Sequence, residues 1–150
     1  KDQLEKILKI LPWIVTVDRF QHEIYCNKIY SSVERKNLWS KIFSEYCGDF
    51  IDWKGFEESY STRWHSQLHI FEIPFYYIEY GFAQLGAIAV WKNYKEDPET
   101  ALYNYKEALK LGYTKSIGEI YKTAGIKFDF SVNYVKELAG FIRKELKNFD

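Results

Sequence analysis

Apolar residues recur along most of the chain at the three- and four-residue spacing of amphipathic helices. The first run, over residues 4–27, places its apolar side chains on one face: Leu4, Ile7, Leu8, Leu11, Ile14 and Val15. Capping residues mark further helix starts at Ser31, Asp97, Ser116 and Ser131, and helix ends at Gly48, Gly112 and Gly125. The pattern therefore predicts an all-α fold of about six or seven helices, compactly packed because the connections are short.

Two prolines modify this pattern. Pro12 lies inside the first helix and lacks a backbone N–H, so it is expected to bend or restart that helix. Pro74 is expected to end a helix that begins near Phe56. Residues 75–91 are apolar on almost every face, which is typical of a helix at the centre of a bundle. With no linker between these elements, residues 1–150 are predicted to form a single unit.

The charge balance excludes several classes of partner. Lys and Arg total 21 and Asp and Glu total 21, whereas nucleic-acid binding requires a basic surplus. The same balance argues against a basic patch that would bind a membrane surface. The longest apolar stretch, residues 73–91, contains Pro74, Glu79 and Gln84, so it is not expected to span a membrane. We predict neither a nucleic-acid nor a membrane partner.

The two cysteines, Cys26 and Cys47, form neither a disulfide framework nor a CxxC metal-binding pair. Free cysteines are usually buried and inert in the reducing cytoplasm. They are therefore predicted to be buried, reduced thiols of a cytoplasmic protein.

Two histidine patterns resemble parts of metal sites. His65 and His69 are four residues apart, so on one helix they would share a face, and Glu72 follows one turn later. A hydrolytic HExxH motif has Glu directly after the first His, where this chain has Ser66. A second stretch begins as His22-Glu23 but ends in Cys26. Both patterns are incomplete, and no metal site is predicted within this chain.

A third candidate for chemistry is a group of tyrosines just after Pro74. On a helix, Tyr76, Tyr77 and Tyr80 fall within about one third of the circumference. Neutral phenol hydroxyls that converge on a cavity can donate hydrogen bonds to a developing oxyanion. The alternative is that this aromatic stripe belongs to the core. Aromatic residues are 19% of the chain, which is consistent with either interpretation.

Several stretches resemble the oligoendopeptidase F family of zinc metallopeptidases, which are relatives of the thimet oligopeptidases. The stretch LPWIVTVDRFQH, residues 11–22, resembles one motif of that family. A closer match is QLHIFEIPFYYIEYGFAQLG, residues 67–86. The segments WKNYKEDP at 91–98 and AGIKFDFS at 124–131 are similar to the family's C-terminal segments. The resemblance extends over residues 8–146.

The resemblance implies that the chain is the C-terminal part of a zincin-like catalytic domain, without the upstream HExxH segment and the third zinc ligand. Zinc is then expected in the complete enzyme, on ligands outside this chain. His69, Tyr77 and Tyr80 match the residues that bind the scissile carbonyl and the tetrahedral intermediate. Tyr76 is the alternative to Tyr77 and a candidate for substrate binding.

The function implied is zinc-dependent hydrolysis of short peptides, with an upstream Glu as the base. The expected partners are those peptides and the missing N-terminal part of the same enzyme. The chain alone is expected to be inactive, because it provides no metal-activated water. The alternative is a non-catalytic helical scaffold that binds peptides or proteins without a metal, and an HExxH motif upstream would argue against it.

Overall fold

The computed structural model describes residues 2–29, 31–48 and 50–148, and in that part of the chain it contains α-helices, one 3₁₀ helix and no strand. The predicted all-α fold is confirmed. The 3₁₀ helix is Arg63–Ser66, and it lies between α3 and α4. The α-helices are α1 (Asp2–Cys26), α2 (Ser32–Cys47), α3 (Glu57–Ser61), α4 (His69–Glu72), α5 (Ile78–Glu96), α6 (Pro98–Leu111), α7 (Ile117–Thr123) and α8 (Val132–Lys147).

The helix starts follow the capping chemistry of the sequence. The side chains of Ser31, Asp97 and Ser131 each accept a hydrogen bond from the backbone N–H three residues later. Ser116 and Glu119 satisfy each other's backbone N–H groups in a capping box at the start of α7. The hydrogen bonds from Ser116 also hold the pKa of Glu119 below its usual value. These four predicted starts are confirmed.

Helix α1 continues without a break through Pro12, so of the two expected effects, a bend or a restart, the restart does not occur. Proline removes one backbone donor, but the rest of this 25-residue helix keeps its bonds and packs a buried face against α2. The hydroxyl of Thr16 donates to the Pro12 carbonyl at 2.8 Å. One lost hydrogen bond is therefore insufficient to interrupt this helix.

The helix predicted from Phe56 towards Pro74 is instead divided into α3, the 3₁₀ helix and α4. The apolar spacing continues across this segment, but the backbone hydrogen bonds change from the four-residue spacing of an α-helix at Thr62 to a three-residue spacing at His65 and Gln67. Hydroxyl groups bind nearby carbonyls in addition. Ser61 and Thr62 both donate to the Glu58 carbonyl, and Ser66 donates to the Arg63 carbonyl. This division explains why the structure has more helices than the six or seven predicted.

Helix α5 begins at Ile78, because residues 73–76 form a tight turn. The Tyr76 N–H donates to the Ile73 carbonyl at 3.2 Å, and Phe75 has a φ of 64°. Proline in the second position and a positive φ in the third are the marks of a type II turn, where glycine is usual. Phe75 thus holds a strained backbone conformation just before the tyrosines.

Helix α5 is apolar but is not buried on all sides, contrary to the prediction for residues 75–91. Ala83 and Ala87 are exposed, whereas Ile88 and Ala89 are buried. A helix can be apolar all round and still border an open groove when its exposed positions are small. None of the helices within the described residues is both long and apolar enough to cross a membrane.

The contacts divide the chain into two compact units, and the boundary along the sequence falls between Gly81 and Phe82. We call residues 2–81 the N-terminal unit and the part that begins at Phe82 the C-terminal unit. The sequence shows no boundary at this position, because the division falls inside the continuous helix α5 and no linker or change in composition marks it.

The core of the N-terminal unit is aromatic and lies between α1 and α2. The Phe20 ring lies 5.2 Å from each of the Trp39 and Trp64 rings, measured between centroids. Trp39 also stacks on Phe43, with an angle of 15° between the ring planes. Trp39 and Phe20 have no exposed surface. These large rings contribute much of the buried apolar area that stabilises the unit.

The C-terminal unit has a buried core on α5 and α8, and an open apolar groove beside α5. The core contains Ile88, Leu138 and Ile142. The groove, of about 540 Å³, is bordered by residues of α5, α6 and α7 together with Ala124 and Ile126. Alanines and glycine form much of its lining on α5 and α6, among larger side chains such as Trp91.

The cysteine prediction is wrong for Cys26, which is exposed at the last position of α1. Cys47 is partly buried, with its Sγ 3.7 Å from the Thr16 hydroxyl. Burial raises the pKa of the Cys47 thiol. Helix ends are less protected than helix centres, which accounts for the exposure of Cys26.

The backbone of Lys28, just after α1, has a conformation that favours glycine. It follows α1 with a φ of 54°, and the next N–H, of Ile29, donates to the Ile24 carbonyl, as in a Schellman cap. A Cβ is strained in this conformation, so Lys28→Gly is expected to raise the free energy of unfolding by about 0.5–1 kcal/mol. Urea unfolding measures the change. Lys28→Ala keeps a Cβ and should show no such gain; an equal gain in both variants would contradict the explanation.

Candidate active site

The structure brings together the four site residues predicted from the sequence. His69 is the first residue of α4, and Tyr80 lies in the first turn of α5. The turn at residues 73–76 reverses the chain between them, so the His69 Nε2 and the Tyr80 hydroxyl oxygen are 3.2 Å apart. We call His69, Tyr76, Tyr77 and Tyr80 the His–Tyr cluster.

The rings of the His–Tyr cluster pack against one another. The Tyr77 ring centroid lies 5.0 Å from that of His69 and 5.1 Å from that of Tyr80. Tyr76 is more distant, at 6.4 Å from His69 and 5.9 Å from Tyr80. The geometry therefore favours Tyr77 over Tyr76 as the closer partner of His69 and Tyr80.

The cluster combines a partly buried side and an exposed side. Tyr76 and Tyr80 are 46% and 42% exposed, whereas Tyr77 is partly buried. Burial raises the pKa of Tyr77, and this effect is partly offset by the Trp13 indole N–H, which favours the phenolate. Tyr77 is thus a neutral hydrogen-bond donor at neutral pH, which is the form needed to bind an oxyanion.

Two further side chains belong to this arrangement, and sequence reasoning missed both. The Trp13 indole N–H donates to the Gln67 amide oxygen at 3.1 Å. The Gln67 amide nitrogen lies 2.8 Å from His69 Nδ1. Trp13 is 54 residues from Gln67, so no local spacing indicates the contact. Gln67 is in the stretch that resembles the peptidase family, but nothing in the pattern distinguishes its amide.

Within the part of the chain that the structure describes, the residues do not fit a zinc centre. His65 belongs to the 3₁₀ helix and His69 to α4, so the shared helical face expected from their spacing does not exist. His65 packs on Trp64 at 4.1 Å, and both ring nitrogens of His69 have side-chain partners. His22 bonds through Nδ1 to the Asp18 carbonyl at 2.9 Å. Across the described ranges, no group of three or more His, Cys, Asp or Glu residues is placed to hold a metal ion.

The strained turn is also held by ring contacts. The Phe75 ring lies 4.8 Å from His22 and 5.4 Å from Tyr25, both on α1. These contacts compensate for a backbone conformation that costs a non-glycine residue about 1–3 kcal/mol. Strain of this kind is frequent next to functional residues, and here it directly precedes Tyr76 and Tyr77.

Comparison with known proteins gives consistent matches. The sequence model of peptidase family M3 matches residues 1–140. A solved structure assigned as an oligoendopeptidase F is similar, with 34% identity and a TM-score of 0.85 over 97% of this chain. PZ peptidase A, solved with an inhibitor, is similar over 97% of this chain, with 31% identity and a TM-score of 0.85. The chain spans 26% of the length of each of these two proteins. No curated protein matches it.

Proposed function

The chain belongs to peptidase family M3, and on this premise we propose that it is the C-terminal part of the catalytic domain of a zinc-dependent oligoendopeptidase that hydrolyses short peptides. The observation that carries the proposal is the His–Tyr cluster, in which His69 and Tyr80 are hydrogen-bonded at a partly exposed surface. The cluster lies within residues 67–86, one of the stretches that resemble the oligoendopeptidase F family. The two free thiols of the chain, Cys26 and Cys47, are consistent with a cytoplasmic location, where thiols stay reduced.

The proposed role of the cluster is to bind the carbonyl oxygen of the scissile bond and the oxyanion formed from it. Tyr80 is the exposed donor, and Tyr77 is the partly desolvated donor beside it. Hydrogen bonds to a developing negative charge are stronger where water is excluded. Tyr76, which is exposed at the edge of the cluster, is proposed to contact the bound peptide.

The zinc implied by the family does not fit the residues of this chain, so we propose that its ligands belong to the remainder of the enzyme. The matched structures extend well beyond the 26% of their length that this chain spans, which leaves room for those ligands. In this division of roles, this chain contributes donors and one wall of the substrate channel. The N-terminal part of the same enzyme would then be an obligatory partner.

The purified chain is expected to show no peptidase activity and to retain no stoichiometric zinc after dialysis against a weak chelator. A hydrolytic zinc site needs three protein ligands and a base, and the described residues do not assemble them. Cleavage of a quenched fluorescent peptide and atomic absorption measure the two properties. Chelator-sensitive cleavage by the chain would overturn the argument and direct attention to His65, His69 and Glu72.

Complementation tests the division of roles directly. Mixing or co-expressing the chain with the N-terminal part of the enzyme is expected to restore chelator-sensitive cleavage. The matched control replaces the wild-type chain by a Tyr80→Phe chain, which should assemble but restore much less activity. Equal activity with both chains would contradict the role given to Tyr80.

A further inference from the structure

The hydrogen bonds around His69 determine the orientation of the Gln67 amide. The Trp13 indole nitrogen is a donor and has no acceptor capacity. The atom of Gln67 that lies 3.1 Å from it must therefore be the amide oxygen, because an NH₂ group there would place two donors against each other. The NH₂ group of Gln67 then faces His69 Nδ1, at 2.8 Å.

The orientation of Gln67 in turn determines which nitrogen of His69 carries the proton. An NH₂ group donates, so Nδ1 must accept and cannot carry a hydrogen in the neutral ring. The hydrogen of neutral His69 is then on Nε2, which lies 3.2 Å from the Tyr80 hydroxyl oxygen. We infer that Gln67, oriented by Trp13, is a positioning residue that fixes His69 as the Nε2–H tautomer and leaves the Tyr80 hydroxyl hydrogen available to a ligand.

Trp13, which orients the Gln67 amide, is itself held in place by its neighbours. The Trp13 ring packs edge-on against Trp39, with centroids 5.4 Å apart, and against Phe43 at 6.0 Å. The Arg63 guanidinium lies 5.4 Å from the Trp13 ring centroid. The same N–H also interacts with the Tyr77 hydroxyl, but an indole fixed on three sides cannot turn it away from Gln67 without disturbing the core. The orientation of the amide thus depends on the packing between α1 and α2.

The backbone of Gln67 is equally constrained. Its N–H donates to the Trp64 carbonyl at 3.0 Å, and its carbonyl accepts from the Ile70 N–H at 3.0 Å. Because both backbone groups are hydrogen-bonded, the Gln67 backbone is held in place, and its side chain extends from a fixed position between Trp13 and His69. The series Trp13, Gln67, His69, Tyr80 therefore runs from the core to the partly exposed Tyr80 hydroxyl, and each donor determines the next.

The tautomer of His69 determines the direction in which the hydroxyl hydrogen of Tyr80 points. If Nε2–H donates to the Tyr80 oxygen, the hydroxyl hydrogen points elsewhere, and no other partner of this hydroxyl is found in residues 2–29, 31–48 and 50–148. If His69 were instead the Nδ1–H tautomer, Tyr80 would donate to Nε2 and its hydrogen would be occupied. The tautomer inference stands on these contacts alone, whereas its value for catalysis rests on the proposed function.

The test is the tautomer of His69, measured on the chain by long-range ¹H–¹⁵N correlation of the histidine rings. The chain contains three histidines, so His22→Gln and His65→Gln variants assign the spectrum. The measurement is made at about pH 8.5, where an ordinary imidazole, with a pKa of about 6.5, is neutral. We expect His69 to show a protonated Nε2 and an unprotonated Nδ1. A proton on Nδ1 would overturn the inference.

Two variants test the role of the neighbours. Gln67→Glu replaces the donor by an acceptor and is expected to move the ring proton from Nε2 to Nδ1. Trp13→Phe removes the indole donor, so the amide can turn, and a mixture of the two tautomers is expected. The tautomer of His22, which lies on α1, serves as an internal control and should be unchanged in Gln67→Glu. A Gln67→Glu chain that remains folded and keeps the wild-type tautomer would also overturn the inference.

The outcomes separate this inference from the proposed function. If His69 is the Nε2–H tautomer but Tyr80→Phe leaves the activity of the complete enzyme unchanged, the catalytic role fails and the positioning role of Gln67 stands. If Tyr80→Phe lowers the activity but His69 carries its proton on Nδ1, the positioning role fails alone.

Discussion

Tyr80→Phe is expected to lower the kcat of the complete enzyme by a factor of about 10²–10³ and to leave its zinc content unchanged. The substitution removes one hydroxyl, which is proposed to donate to the oxyanion, and it keeps the ring contacts with His69 and Tyr77. A hydrogen bond made mainly in the transition state affects kcat more than KM. Steady-state kinetics with a short peptide and metal analysis provide both measurements.

Two comparisons make this prediction specific. Tyr103→Phe changes an exposed tyrosine on α6 outside the cluster and should leave kcat unchanged. Tyr77→Phe should lower kcat more than Tyr76→Phe, since Tyr77 is nearer to both His69 and Tyr80. Loss of zinc in the Tyr80→Phe enzyme would mean that the hydroxyl has a structural role or binds the metal.

Trp39→Ala is expected to destabilise the chain by about 3–5 kcal/mol, the usual cost of removing a large buried ring. Trp39 has no exposed surface, and its ring contacts those of Trp13, Phe20 and Phe43. Native domains have a total stability of about 5–15 kcal/mol, so this variant should be only marginally folded. Urea unfolding followed by circular dichroism measures the loss.

The matched control is Val33→Ala, on the same helix but 67% exposed, for which a change within about 0.5 kcal/mol is expected. If the two variants had similar effects, the aromatic core would not be the main source of stability in the N-terminal unit. Because Trp13 packs on Trp39, a folded Trp39→Ala chain should also show a less uniform His69 tautomer.

Helix starts could be predicted from the sequence because their chemistry is local. Ser116 and Glu119 are three residues apart and satisfy each other, whatever the rest of the chain does. Helix continuity was harder to predict. Apolar spacing alone does not show that Thr62 and Ser66 bind nearby carbonyls, or that α1 tolerates Pro12.

The candidate site shows the same division between local and distant contacts. His69 and Tyr80 are 11 residues apart, and a turn at Pro74 is enough to bring them together. Trp13 reaches Gln67 through packing between distant segments, and neither residue belongs to a catalytic motif. Side chains that orient another side chain of a candidate site can be recognised when hydrogen-bond donors and acceptors are assigned in three dimensions.

The uneven distribution of tryptophans between the two units gives the chain a built-in optical probe. Of its five tryptophans, Trp91 belongs to the C-terminal unit, and the others, in the N-terminal unit, are Trp13, Trp39, Trp53 and Trp64. Intrinsic fluorescence therefore reports mainly on the N-terminal unit, whereas far-ultraviolet circular dichroism reports on all helices together. In a Trp91→Phe chain the tryptophan emission, excited selectively, comes from the N-terminal unit alone, so the two signals distinguish sequential from simultaneous melting of the units.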